Sequence, residues 1–201
     1  TRVRSSAASD VYKRQVLNQE VVNRKEEEKQ ELVSLVKLMR RNLELAEQLC
    51  VTLAEELDFV KTYIDLERRS LGATFHPVIE IAGDVLPEQV WLPSMMIQIP
   101  VENSVKHALR GKEGERNLWI AADRREGGVC IRITDNGGGY HPESRNRGTG
   151  TGMKVIMQTI QILNMKNQAA IDISVHNVTL PSGETGCEVT FLLPDKYDYR
   201  I

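Results

Sequence analysis

Two periods divide the chain. From Leu32 onward the apolar residues Leu32, Leu35, Val36, Met39, Leu43, Ala46 and Leu49 recur at helical spacing. A stripe of that kind must bury against something, and a second one follows at once. There Leu53, Leu57, Val60 and Ile64 hold one face, which Phe59, Tyr63 and Leu66 widen. Its start is marked by Thr52-Leu-Ala-Glu55, a capping-box pattern in which the Thr hydroxyl satisfies an orphan N–H. Gly72 offers its stop. The pattern predicts a pair of amphipathic helices suited to dimerisation. Residues 16–31 extend the helical reading upstream, and the mixed-charge run from Arg24 to Glu31 reads as a solvated surface.

From Phe75 the period shortens. His76 to Ala82 alternates as a strand, and Gly83-Asp84 breaks it. Pro93 suits a first helical turn, which predicts a helix through Leu109. Pro100 inside it is expected to remove one backbone bond and kink the helix. Asn117 to Arg125 and Val129 to Asp135 read as strands joined by a hairpin at Glu126-Gly-Gly128. Gly137 to Gly152 reads as a loop, and Met153, Ile156, Met157, Ile160 and Leu163 mark the helix after it. Ala169 to Val178 and Thr185 to Leu193 close the pattern as a strand pair around Pro181-Ser-Gly183. Antiparallel hairpins with helices between them predict an α+β fold, a two-layer α/β sandwich with its helices on one face.

Composition narrows the class. With 201 residues, 41% of them hydrophobic, the chain can bury a sizeable core in one or two domains. A net charge of −2 gives no global drive towards nucleic acid or an anionic membrane. The three cysteines Cys50, Cys130 and Cys187 are far apart and form no CxxC pair, which fits a reducing compartment rather than a disulfide framework. No apolar run reaches the ~18–20 residues that cross a bilayer, so a membrane anchor is expected only on sequence upstream. Residues 1–15 lack a signal-peptide core and are set aside as a disordered or non-native tail.

The candidate chemistry lies between Gln98 and Gly152. On a helix, Asn103, Lys106, His107 and Arg110 fall at i, i+3, i+4 and i+7 and share a face. An amide oxygen beside cationic groups suits a metal-bound polyphosphate. The oxygen can ligate a hard divalent cation, and the basic groups can meet phosphate. A mid-helix Asn is costly without a partner, which favours this reading over a structural one. Glu102 divides evenly between positioning water, metal or acceptor and pairing with Lys106 at i+4, a link worth ~0.3–0.5 kcal/mol. His107 reads as a nucleotide contact ahead of a core histidine. Asp135 stands at a strand end before Asn136, Gly137, Gly138 and Gly139, and taken alone this is an ordinary turn. Gly148, Gly150 and Gly152 lead to Met153 and a helix whose N-terminus suits an anion, although GxGxG alone is weak. Arg145 and Arg147, between the glycine clusters, read as solvated.

In this order the motifs resemble the ATP-binding domain of the GHKL superfamily. Val101-Glu-Asn-Ser-Val-Lys-His107 resembles the LytS-type sensor histidine kinases in particular, and Thr52 to Arg69 resembles the helix that precedes their ATPase domain. The resemblance covers roughly residues 30–194 and implies a Bergerat-type fold with ATP and Mg²⁺ as ligands. It implies Asn103 as the Mg²⁺ ligand; the candidate catalytic residues are Asn103 and, on its own evenly divided reading rather than on the resemblance, Glu102. Lys106, His107, Gly148, Gly150, Gly152 and Met153 would complete the nucleotide set. Asp135 would accept a hydrogen bond from the adenine amino group, with Gly137 and Gly139 permitting close approach of the base. The implied plan is a tail at 1–15, truncated dimerisation helices at 16–71, the ATP-binding catalytic domain at 72–195 and a tail at 196–201.

The implied function is transfer of the ATP γ-phosphoryl to a histidine and onward to a response-regulator aspartate. That makes a cognate response regulator the partner, with the LytTR type as a candidate class. A homodimer through the N-terminal helices and a cytoplasmic domain on a membrane-anchored parent complete the expectation. The alternative is a GHKL module that switches conformation on binding ATP without phosphotransfer. Several departures matter. Ile99 stands four residues before Asn103, where many GHKL ATPases carry an acid, which counts against a pure hydrolase. Val155 stands where Asn is usual, and Cys187 stands in place of Thr after the loose glycine box at Gly183 to Gly186. The LytS-type acceptor motif, Asn-Pro-His-Phe-Leu-Phe-Asn, surrounds none of His76, His107, His141 and His176. The chain is therefore expected to lack its own phosphoacceptor.

Overall fold

The structure is a computed structural model that describes residues 22–26, 48–140 and 149–200. Residues 22–26 are helical and belong to a first compact unit that ends at Arg40; the rest belongs to a second unit that begins at Arg41. The apolar stripe from Leu32 to Ala46, His141, Arg145, Arg147 and Gly148 lie outside the described residues.

In the second unit, Thr52 ends strand β1 (Cys50–Thr52) and caps helix α1 (Leu53–Leu71). The box is reciprocal: Glu55 N–H donates to Thr52 Oγ1 at 3.3 Å, and Thr52 N–H donates to Glu55 Oε2 at 2.8 Å. The helix stops at Gly72, whose φ of 74° is cheap for glycine. Strands β2 (Phe75–Ile81) and β3 (Trp91–Pro93) follow. Helix α2 runs over Gln98–Asn103 and continues as a wider π-type turn over Ser104–Leu109. Next come β4 (Arg116–Arg125), β5 (Gly128–Asp135), α3 (Thr149–Asn164), β6 (Asp172–Thr179) and β7 (Thr185–Pro194).

Five strands form one sheet in the order β2-β4-β5-β7-β6; β2 is parallel to β4, and every other pairing is antiparallel. Strands β1 and β3 pair separately. One sheet face presents the buried side chains Leu118, Ile120, Ile131, Ile133 and Phe191, and the helices add Leu53, Val60, Val101, Val105, Ile156 and Ile160 to the core. The opposite face is polar. There Arg132 pairs with Asp123 at 2.9 Å, and Glu188 takes Thr134 Oγ1 at 3.0 Å and His176 at 3.3 Å. One apolar and one polar face is what a mostly antiparallel sheet with a single helical layer requires. The α+β expectation therefore holds.

Three local expectations change. Pro93 closes β3, and the helix opens at Gln98 instead. Pro100 thus falls in the first turn, where proline is tolerated, and the i to i−4 bonds on either side of it persist, Ile99 N–H to Met95 O and Val101 N–H to Ile97 O at 3.1 Å each. The departure from α geometry comes later. Arg110 N–H reaches Val105 O at 2.9 Å, an i to i+5 bond that widens the turn. In addition, α3 begins at Thr149, so Gly150 and Gly152 lie within its first turn rather than in the loop.

Candidate functional site

Helix α2 is the hub of the site. Asp135 ends the central strand β5 and is buried, with 3% of its surface exposed. Its Oδ2 accepts the Ser104 hydroxyl at 2.7 Å, and its Oδ1 accepts Gly137 N–H at 2.9 Å. Burial pushes its carboxyl above the ordinary value, while hydrogen bonds from the Gly137 backbone, Ser104 and the Cys187 backbone oppose the shift. The carboxylate is therefore oriented from two sides and retains lone pairs for a further donor.

The glycine turn packs directly on the helix. A Cβ on Gly137 would lie 2.3 Å from the Ala108 Cβ, inside any real contact. Gly139 has a φ of 90°, and a Cβ there would lie 2.8 Å from Asn177 Oδ1. Asn177 clasps the next residue, accepting Tyr140 N–H at 2.5 Å and donating to Tyr140 O at 3.2 Å. Asn136 points the other way and is 1% exposed. It accepts Asn117 N–H at 2.8 Å and donates to Glu115 O at 3.0 Å and Glu184 Oε2 at 3.1 Å. Gly137→Ala is expected to cost roughly 1–3 kcal/mol through overpacking. Thermal unfolding would show this as a Tm several degrees lower, whereas an unchanged Tm would contradict the packing.

Asn103 is half-buried on α2 and makes no side-chain hydrogen bond among the described residues. A spare amide oxygen in mid-helix fits a cation that takes oxygen ligands. Glu102 is occupied on both oxygens, by Gln98 Nε2 at 2.8 Å and by Lys106 Nζ at 2.5 Å. The structure thus displays the pairing reading of Glu102. Lys106 and His107 are exposed. Arg110 does not stay with them; its guanidinium pairs with Glu67 of α1 at 2.5 Å. The wider turn explains the separation. Each residue in it advances fewer degrees than in an α-helix, and over seven residues the lag reaches roughly a third of a turn.

Helix α3 meets α2 through Gly152, where a Cβ would lie 2.8 Å from Ile99 Cγ2. Ile99, at the position where an acid was sought, is therefore a packing contact. Met153 is half-buried beside it. Asp135 reaches α2 through Ser104, the glycine turn through Ala108 and the start of α3 through Ile99, so one helix gathers all three. Ser104 and Asn136 were not singled out by sequence, since their partners lie far along the chain. A cleft of about 240 Å³, lined by Leu86, Trp91, Arg124, Tyr197 and Tyr199 among others, contains none of these groups. Chemistry, not concavity, marks the site; residues 141–148, which adjoin it in sequence, lie outside the described residues.

A mixed sheet with one helical layer, ending in a buried carboxylate and a glycine turn on a helix with a spare amide, defines a domain of the histidine kinase catalytic fold. Its fold is similar to that of the histidine kinase domain from the Erythrobacter litoralis blue-light activated histidine kinase. That likeness has a TM-score of 0.51 at 13% identity, covering 82% of this chain and 74% of that one. A nucleotide-free catalytic domain of the histidine kinase ThkA is similar at a TM-score of 0.50 and 14% identity, over 75% of this chain and 97% of that one.

Residues 92–197 match the family described as histidine kinase-, DNA gyrase B-, and HSP90-like ATPase, and the chain belongs to that family. Residues 15–75 match the histidine kinase family. Sensor protein LytS of Bacillus subtilis (strain 168) is 29% identical over 175 residues, 81% of this chain and 28% of that protein. The tetrathionate sensor histidine kinase TtrS of Salmonella typhimurium is 26% identical over 151 residues, 70% of this chain and 23% of that protein. The chain thus spans less than a third of the length of either relative.

Proposed function

We propose that this chain is the ATP-binding catalytic part of a sensor histidine kinase, which passes the ATP γ-phosphoryl to a histidine and then to a response-regulator aspartate. The observation that carries this reading is the buried, doubly oriented carboxylate of Asp135. At the edge where guanine presents the O6 acceptor, adenine presents the N6 amino donor. An ionised carboxylate accepts from the second and repels the first. Asn103 would hold Mg²⁺, which when bound neutralises charge on the phosphates. Lys106, His107 and the start of α3 at Gly150, Gly152 and Met153 would receive the phosphates. Gly148 belongs to the same set by sequence. A LytTR-type regulator as partner, dimerisation through residues 16–71 and a membrane anchor on the parent follow from the same reading. No helix among the described residues is long and apolar enough to cross a membrane.

Isothermal titration with ATP and GTP in the presence of Mg²⁺ tests the proposal. An ATP preference of at least tenfold, about 1.4 kcal/mol, is expected. Equal affinities, or no binding at millimolar ATP, would overturn it.

A second reading, an ATP-driven conformational module, draws support from the histidines. His76 pairs with Glu115 at 2.5 Å, His176 faces Glu188 on the polar side of the sheet, and His107 lies on α2 itself. None of these three lies in an Asn-Pro-His-Phe-Leu-Phe-Asn motif, and transfer requires an acceptor held in line with the γ-phosphate. This chain is therefore expected to bind nucleotide without labelling itself. Incubation with γ-labelled ATP should leave no acid-labile, base-stable phosphate on it, and such a label would refute the expectation.

A further inference from the structure

We propose that Glu56 is a positioning residue for the nucleotide site and that, through it, helix α1 sets the orientation of α2 and of the Asn103 amide. The proposal rests on the reading of Asn103 as the metal-side group. Glu56 lies on α1 with 0% of its surface exposed. Its Oε1 accepts Met95 N–H at 2.5 Å, and its Oε2 accepts Ile97 N–H and Gln98 N–H, each at 3.1 Å. These are orphan donors at the start of α2. The helix has no side-chain cap of its own, because Ile97 stands at the capping position. A carboxylate about forty residues earlier in the chain supplies the cap, and the positive end of the helix favours its charge. Burial pushes the Glu56 carboxyl above its ordinary value, and the Met95, Gln98 and Ile97 N–H groups pull against that shift.

Met95 shows how closely the contact is specified. Its φ of 67° is uncommon outside glycine, and its N–H makes the Oε1 bond in that conformation. A second tie lies at the other end of the helix, where Glu67 of α1 holds Arg110. Glu56 and Glu67 are eleven residues apart, or roughly 16 Å along a helix. Both ends of α2 are thus bound to one neighbouring helix, with Asn103, Lys106 and His107 between the ties. Helix α1 is itself docked at its start, where Leu53 N–H donates to Val90 O at 2.7 Å and Ala54 N–H to Pro87 O at 3.1 Å. A displacement of α1 therefore moves the Asn103 side of the site. The base side touches α2 as well, at Ser104 and Ala108, but Asp135 also ends the central strand β5, which holds it independently of α1.

The experiment separates the two sides. Adenosine reports the base pocket, and the gain in ATP affinity on adding Mg²⁺ reports Asn103. Both are measured by calorimetry on the whole chain, for the wild type, Glu56→Gln and Glu67→Gln. In Glu56→Gln the Mg²⁺-dependent gain is expected to fall at least tenfold, while adenosine affinity stays within threefold. Glu67→Gln changes a partly exposed pair, so it tests the same coupling if Glu56→Gln does not fold; a loss of about threefold in the gain is expected there. A folded variant that keeps the full gain overturns the proposal, as does a parallel fall in adenosine affinity, which would mark a merely structural role. A wild type without any Mg²⁺-dependent gain overturns the Asn103 reading first and this inference with it.

Discussion

Asn103→Asp is expected to reduce Mg²⁺-dependent ATP binding on the order of 100-fold, whereas Cys187→Ser should change it less than about threefold. The amide oxygen of Asn103 can ligate a cation without adding charge. A carboxylate there places a negative charge beside a polyphosphate. At about 5 Å and an effective dielectric near 20 that costs roughly 3 kcal/mol per unit charge. The new charge would also compete for Lys106 and His107, three and four residues further along the helix. Cys187 sits on β7 in register with Asp135, and burial pushes its thiol up to about 11, so it stays neutral at ordinary pH. Calorimetric titration of both variants decides the matter, and a near wild-type affinity for Asn103→Asp would remove the metal assignment.

Asp135→Asn is expected to lower ATP affinity by roughly 30- to 150-fold, the ~2–3 kcal/mol of a hydrogen bond to a charged group, and to abolish the preference over GTP. The substituted amide turns an N–H₂ towards one of two donors, Ser104 or Gly137 N–H, that the carboxylate satisfied. The wild-type pH dependence should carry a matching signature. Because the folded-state pKa of Asp135 is raised, ATP affinity falls as pH drops through that raised value, above the usual aspartate range. The stability linkage has the opposite sign. The folded protein binds this proton more tightly than the unfolded chain does, so this group favours the fold more as pH falls through the same value. Competition between ATP and GTP across pH 4–7 would show the first effect and thermal unfolding over the same range the second, and a retained ATP preference in Asp135→Asn would discard the base assignment.

What could be read in advance was what the chain writes locally. The Thr52–Glu55 box, the Gly72 stop, the alternation along β2 and the hairpin that joins β4 to β5 depend on neighbours within a few residues, and the structure repeats them closely. Strands β1 and β3 have three residues each, too few to display a period. The start of α2 was misplaced because Pro93 and Pro100 both suit a first turn, and only the pairing of β1 with β3 assigns Pro93 to a strand. The groups that support the site left no local trace. Ser104 meets Asp135 across 31 residues, Asn136 meets Glu184 across 48, and Glu56 meets Gln98 across 42. Arg110 shows the converse failure, since an α-helical period was assumed where the turn is wider.

The parallel pairing of β2 with β4 bears on how the chain is threaded. Antiparallel neighbours can be joined by a hairpin of a few residues, but parallel neighbours need a long crossover. After Ile81 the chain must leave the sheet and return to the same end before it re-enters at Arg116. That obligatory excursion carries β3 and α2. The helix that gathers the candidate site therefore occupies length the topology demands in any case, and a deletion that shortened it would cost the sheet its edge strand along with the candidate site.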